Sequence, residues 1–156
     1  MIRLSATTSI RVRLRRRAIK TIGRAHLAVY RATGGRVLGT VAGMPVLLLS
    51  TIGRRSGKRR TTPLTFFRDG DDLVVIASNG GDDRPPAWLR NIEQDSRATV
   101  QIGADRSAVT AAIAPEEVRA RLWPEITATY EGYAAYQART TRTIPVVVLA
   151  LDRQAL

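Results

Sequence analysis

Cysteine is absent from the 156 residues, histidine occurs once, and aromatic residues make up 5% of the chain. The first absence excludes disulfides, thiolate metal sites, iron–sulfur clusters and a cysteine nucleophile. The second leaves His26 alone, too few for a histidine-built zinc site. Long apolar runs are missing too. The longest, residues 144–151, falls far short of the ~20 residues that a membrane-spanning helix needs. Nor is there a G-x-G-x-x-G loop, a nucleophile elbow, or an acid/base dyad of carboxylates on one element. Chemistry in such a chain has to come from a bound cofactor, with the protein supplying orientation and electrostatics.

Acidic residues are absent from the first part of the chain, the first being Asp69. Residues 1–68 carry 16 Lys and Arg and no carboxylate, whereas the other 88 residues carry 9 Arg against 13 acidic residues. The net charge is +12. An unbroken positive field attracts polyanions and anionic lipid surfaces. Three partners fit it: nucleic acid, an anionic membrane, or a small multiply charged cofactor.

Between Ser9 and the Gly34–Gly35 pair, Ile10, Leu14, Ala18, Ile22, Ala25 and Val29 recur near helical spacing, with most arginines off that stripe. The pattern predicts a basic amphipathic helical segment over residues 1–35. It either packs on the domain with a solvated outer face or meets an anionic membrane surface through residues 9–30. Nucleic acid is the weakest of the three candidates. The arginine-rich, acid-free composition also matches a transit peptide.

From residue 44 the period changes. Strands are predicted over 45–50, 61–67, 73–78, 98–102, 108–114 and 144–151. Helices are predicted over 87–94, 115–130 (with a bend at Pro124) and 132–140. Six strands joined mostly by short turns, with helical insertions, imply an α+β domain over residues 36–156. Its centre is a small closed or half-closed β-barrel.

Three clusters stand out in that domain. Arg54, Arg55, Lys58, Arg59 and Arg60 put five cations into seven residues, on a turn bracketed by Gly53 and Gly57. Glycines let the turn fold tightly and expose N–H groups, while arginine forks grip phosphate or carboxylate oxygens. The Walker spacing is absent, so the anion need not be a nucleotide. Ser78-Asn-Gly-Gly81 ends a strand and permits close backbone approach of a ligand. Tyr130, Tyr133 and Tyr136 hold three of the four tyrosines in seven residues, on about one helix face. Buried phenols each need a hydrogen-bond partner, so this stripe suits a polar pocket better than a core. Trp88 either covers a planar ligand or anchors the core.

Taken in order, Gly43-Met-Pro-Val-Leu-Leu-Leu, Gly53-Arg-Arg-Ser-Gly, Arg60-Thr-Thr-Pro-Leu, Ala77-Ser-Asn-Gly-Gly, Pro86-Ala-Trp with Asn91, Tyr130 with Gly132-Tyr-Ala-Ala-Tyr-Gln, and Arg142-Thr-Ile-Pro-Val-Val resemble the deazaflavin-dependent nitroreductase and quinone reductase family. The likeness runs from Val29 to Asp152. It implies a split β-barrel related to the flavin-binding oxidases and binding of coenzyme F420, an 8-hydroxy-5-deazaflavin. It also implies hydride transfer from the reduced coenzyme to a quinone, nitroaromatic or similar acceptor. A cytoplasmic protein, peripheral on the inner face of the cytoplasmic membrane, is the implied setting.

Carried over, Arg54, Arg55, Ser56 and Arg60 would hold the coenzyme's phosphate and acidic tail. Thr61, Thr62, Pro63 and Leu64 would line the ring site. Ile76, Ala77, Ser78 and Asn79 would contact ring or tail from the next strand. Ala87 and Trp88 would close over the ring, with Arg90 and Asn91 nearby. Ser78, Tyr130, Tyr133 and Tyr136 would be the catalytic set around the acceptor, and Tyr133 would also touch the coenzyme. No metal is implied. Some relatives have Lys where this chain has Asn79, and others an aromatic at Thr65. Two other readings stay open: an FMN enzyme on the same barrel, and a basic membrane- or nucleic-acid-binding module without catalysis. Split barrels commonly dimerise, which makes a homodimer an open expectation by analogy.

Overall fold

The computed structural model describes residues 6–152, with side chains from residue 13 onward. In chain order the elements are α1 (Ala6–Thr33), β1 (Thr40–Val41), β2 (Met44–Ile52), β3 (Arg59–Asp69), β4 (Asp72–Ile76), α2 (Ala87–Gln94), β5 (Arg97–Ile102), β6 (Asp105–Ile113), α3 (Glu116–Thr129), α4 (Gly132–Ala138) and β7 (Val146–Leu151). Strands β2-β3-β4-β7-β6-β5 pair antiparallel in that order, and β2 pairs again with β5. The sheet therefore closes into a six-stranded barrel, as the short-turn spacing predicts. Closure leaves no open sheet edge among these six strands.

β2 is the central staple, because it pairs with β3 on one side and β5 on the other. Leu47 and Leu49 point into the barrel with Phe66, Val75, Val100, Val147 and Leu149, all buried. Period-2 alternation puts the intervening Val46 and Leu48 on the outer face, where they meet Tyr30 of α1. A second cluster joins Val74, Ile76 and Val146 to Leu122 and Ile126 of α3 and Tyr133 of α4. Both faces of β4 are thus buried, which is why residues 73–76 read as one apolar run.

Several element ends differ from expectation. β4 stops at Ile76, and residues 79–81 form a short 3-10 turn with Asn79 and Gly80 at positive φ. β3 extends back to Arg59, so two of the turn's cations belong to a strand. β1 is an added two-residue strand on the edge of β2. α3 runs through Pro124 to Thr129 as one helix.

The first helix is a single 28-residue element whose apolar stripe faces away from the barrel. Leu14, Ile22 and Val29 are 59%, 67% and 38% exposed. α1 is instead fixed by Leu27 and by Tyr30, which is 1% exposed. The Tyr30 hydroxyl accepts from the Gly103 N–H at 2.7 Å and donates to the Val46 carbonyl at 3.1 Å. Gly35 meets the same ring, since a Cβ there would lie 3.0 Å from Tyr30 Cζ.

Candidate functional site

The glycine-bracketed turn is built by short local bonds. Gly53 N–H donates to the Lys58 carbonyl and Gly57 N–H to the Gly53 carbonyl, both at 2.8 Å, while Ser56 Oγ accepts from Lys58 N–H. A Cβ on Gly53 would come 2.8 Å from Ser56 Oγ, and Gly57 sits at φ +65°. Glycine at Gly53 thus spares the Ser56 hydroxyl from moving, and the positive φ at Gly57 favours glycine there. Arg54, Arg55, Lys58, Arg59 and Arg60 are all exposed. None of them makes a salt bridge with a carboxylate among the described residues.

Asn91 explains how the turn is held. Its side chain is 4% exposed, accepts from the Arg54 backbone N–H at 3.1 Å and donates to Thr51 Oγ1 at 3.0 Å. It is a brace between α2 and the turn, with both amide ends in use. Trp88 on the same helix is 5% exposed and belongs to the barrel core, the second of the two roles the sequence allowed it. A side chain so enclosed does not stand open over a ligand. Ala87 and Arg90 are exposed, and Arg90 pairs with Glu93 at 3.1 Å.

β3 connects this cationic turn to a second feature. Thr61, Pro63 and Thr65 lie on its outer face. Thr61 Oγ1 is bonded to Ser50 Oγ at 2.8 Å and receives Arg31 of α1 at 3.0 Å. Thr62 and Leu64 alternate to the other face, and Leu64 packs on the barrel core. Next to Pro63 and Thr65 opens a cavity of about 250 Å³, bounded also by Ile76, Ser78, Gly80 and the three tyrosines. From Arg60 to Thr65 the strand covers roughly 16 Å at about 3.3 Å per residue. The cations thus stand at the start of β3 and the tyrosine cavity beside its middle.

The tyrosines form a mutual edge-to-face cluster, with ring centroids 5.4, 6.0 and 6.4 Å apart. Gly132 permits it, because a Cβ there would overlap the Tyr130 ring. Tyr133 is hydroxyl-to-hydroxyl with Thr65 at 2.7 Å. Burial pushes the Tyr133 phenol above the usual tyrosine range, against the opposing pull of the Thr65 bond. A hydrogen bond with Tyr130, then burial, does the same for Tyr136. Both phenols are therefore protonated donors at neutral pH.

Ser78 is 9% exposed and lines the cavity, and no bond to its hydroxyl forms among the described residues. Its position is set by Arg142, a residue that sequence reasoning quoted but gave no role. That guanidinium donates to the carbonyls of Ala77, Ser78 and Asp82. Desolvation lowers the Arg142 pKa, partly opposed by Asp82 and Asp83. Ala77 itself is fully buried in the barrel, so only its backbone faces this loop. Asn79 is exposed and spends its amide on the Arg84 carbonyl at 2.8 Å. Gly81 allows the loop to touch α4, since a Cβ would stand 2.7 Å from the Tyr136 carbonyl oxygen. Arg16 of α1 reaches the loop as well, forking onto Asp82 at 3.1 Å. Thr65, where the sequence departs from some relatives, bonds Tyr133, and Phe67, which packs on Tyr133, is a further contributor that no sequence motif marks as ligand-facing.

Such a donor set suits an elongated anionic ligand, with cations for its acidic groups and phenols at a neighbouring cavity. Comparison with known proteins decides which. The family profile for F420H(2)-dependent quinone reductase matches residues 22–151. The chain belongs to this family. An F420H(2)-dependent quinone reductase of Mycobacterium tuberculosis is 42% identical over 130 residues, spanning 81% of this chain and 87% of that protein. A solved F420-H2 dependent reductase is 34% identical with a TM-score of 0.61, covering 67% of this chain and 93% of its own. Another solved chain, a domain-swapped dimer, is 32% identical with a TM-score of 0.62, covering 79% and 98%. Family membership makes the chain an oxidoreductase dependent on coenzyme F420. The residues present fit that coenzyme: cations that pair with no carboxylate among the described residues, for acidic groups, and a strand leading from them to a cavity that carries the hydroxyls of Thr65, Ser78 and the three tyrosines.

Proposed function

We propose that this chain reduces a quinone with reduced F420, holding the coenzyme's acidic groups at residues 54–60 and the acceptor among Tyr130, Tyr133, Tyr136 and Ser78. The coenzyme supplies a hydride when bound, and the quinone takes that hydride and one proton to become a hydroquinone. The chain's own residues bind, orient and stabilise. Arg54, Arg55 and Arg60, with Ser56, anchor the tail, and this remote contact fixes the ring along Thr61 to Leu64 and beside Ile76. Protonated phenols and the free Ser78 hydroxyl donate to the quinone oxygen as it gains negative charge. The observation that carries this reading is β3 itself, which starts at cations that pair with no carboxylate among the described residues and passes the tyrosine cavity at residues 63–65.

The test is anaerobic oxidation of F420H2 by a soluble quinone, followed by the return of the deazaflavin's visible absorbance. Catalysed return supports the reading. A protein that instead purifies yellow, titrates with FMN and leaves F420H2 untouched overturns it. A nitroaromatic run in the same assay tells whether the pocket admits that acceptor class too.

The exposed face of α1 supports a peripheral membrane contact. Leu14, Ile22 and Val29 form an outward apolar stripe, flanked by Arg13, Arg15, Arg17, Lys20 and Arg24. Each cation near an anionic bilayer adds about 1 kcal/mol. No helix among the described residues is long and apolar enough to cross a membrane. Co-sedimentation with phosphatidylserine vesicles, lost in neutral vesicles or high salt, supports this contact. A chain that ignores vesicles but dimerises in solution overturns it and assigns the stripe to a second copy.

A further inference from the structure

On the outer wall of the barrel, three hydroxyls stand in a row across β3, β2 and β5. Ser50 is the register partner of Thr61 on one side and of Thr99 on the other. Partners share a face of the sheet, so the three side chains leave it side by side at the strand spacing of about 4.8 Å. Ser50 Oγ and Thr61 Oγ1 are bonded to each other at 2.8 Å, and no bond to Thr99 Oγ1 forms among the described residues. Arg31 of α1, Arg59 of β3 and Arg106 of β6 surround the row and bound a hollow of about 20 Å³.

No carboxylate lines this hollow, and none of its three guanidiniums makes a salt bridge among the described residues. Two of them are nevertheless held in place. Arg31 Nη2 donates to Thr61 Oγ1 at 3.0 Å, and Arg106 Nε donates to Gln101 Oε1 at 3.2 Å. Each bond fixes a guanidinium through one nitrogen and leaves the other N–H donors unused. Three like charges around one spot repel, and an oxyanion among them removes that cost while accepting from every donor present. About 10–15 Å³ admits a single water on the same measure, so the hollow takes one small group and no ring. Arg54, Arg55 and Arg60 do not line it, because period-2 alternation turns Arg59 to the face opposite Arg60. Arg31 follows Leu27 by one helical turn, and Leu27 packs on the barrel. The hollow therefore lies between α1 and the barrel, on the other side of the helix from the exposed Ile22 and Val29.

We infer that Arg31, Arg59 and Arg106, over the hydroxyls of Ser50, Thr61 and Thr99, form a second anion site that takes the phosphoryl group of a soluble phosphate ester or inorganic phosphate. Arginine forks span two phosphoryl oxygens each, and the hydroxyl row meets the group from below. The site stands apart from the coenzyme's cations and does not depend on the quinone-reductase reading. An occupant would tie α1 to β3 and β6 at one point, adding to the Arg31–Thr61 bond already there.

The experiment titrates inorganic phosphate, and separately glycerol 3-phosphate, into the isotope-labelled whole chain at constant ionic strength, with amide NMR shifts as the readout. The amides of Ser50 and Thr99 are expected to shift saturably, with and without F420 bound. Arg106→Ala should raise the phosphate dissociation constant about tenfold and leave F420 affinity unchanged. Chloride that reproduces the shifts, or shifts that Arg106→Ala leaves untouched, overturn the inference, since the field is then unspecific or the anion lies elsewhere. Loss of the shifts on adding F420 also overturns it and gives the hollow to the coenzyme's acidic tail. Phosphatidic acid vesicles form the last arm. Shifts at Ser50 and Thr99 that appear with vesicles and not with either soluble phosphate overturn the assignment to a soluble ligand and make a lipid headgroup the source.

Discussion

Tyr133 and Thr65 meet hydroxyl to hydroxyl at 2.7 Å, tying α4 to β3 at the wall of the tyrosine cavity. With Thr65 as donor, the phenol proton is free to point into the cavity. Tyr133→Phe removes that proton but keeps the ring. We expect kcat with a soluble quinone to fall about tenfold or more while the F420 dissociation constant moves little. Thr65→Val keeps the phenol and should have the milder effect on kcat. A Tyr133→Phe enzyme that loses coenzyme affinity and keeps kcat would place the phenol on the coenzyme.

The same phenols set an alkaline limit. Folded Tyr133 is raised by burial first, and Tyr136 by its bond with Tyr130 first. A raised acid favours its neutral form in the fold. That stability is full below the unfolded pKa near ~10 and is lost as pH rises through the folded value. Acceptor turnover should therefore show no tyrosine-linked loss until pH exceeds the ordinary tyrosine range. A loss near neutrality that Tyr133→Phe abolishes would contradict this.

Arg54→Ala combined with Arg60→Ala tests the cationic turn. Each lost charge-assisted contact should raise the F420 dissociation constant roughly tenfold or more. Salt should weaken wild-type binding more steeply than binding by the double variant. Equal affinity in both proteins would move the tail site elsewhere.

Arg142 carries the loop that presents Ser78. Arg142→Ala leaves the carbonyls of Ala77, Ser78 and Asp82 without their shared donor. The loss should cost on the order of 2–3 kcal/mol of stability, read by thermal or urea unfolding. KM for the quinone should rise as well, with Arg142→Lys recovering stability better than KM. If neither stability nor KM changes, the loop is held by something else.

Removing residues 1–25 separates α1 from catalysis. The deletion takes away the Arg16–Asp82 pair and most of the outward stripe, yet keeps Tyr30 with its bonds to Val46 and Gly103. Turnover of a soluble quinone should persist and vesicle binding should drop. A fully inactive truncated protein would make α1 part of the site.

Much of the barrel was legible because its signals are local. Alternating or unbroken apolar runs, glycine turns and a proline at a helix start each report on a few neighbouring residues. The cationic turn and the tyrosine run were visible for the same reason. Trp88, Ala77 and Asn91 were not, because a residue's type does not say which way its side chain points. Their enclosure depends on barrel closure and on the docking of α2. Arg142 looked like any other arginine until three carbonyls distant in sequence converged on it.

The sequence by itself determined that 16 of the cations precede the first carboxylate, that no thiol or histidine cluster could carry the chemistry, and that three phenols share one short stretch. Tertiary structure alone decided that β3 puts the cations and phenols on one line, and that α1 turns its apolar stripe outward. Composition and period are summed along the chain, whereas register, closure and the facing of α3 against β3–β4 arise only when distant segments pack.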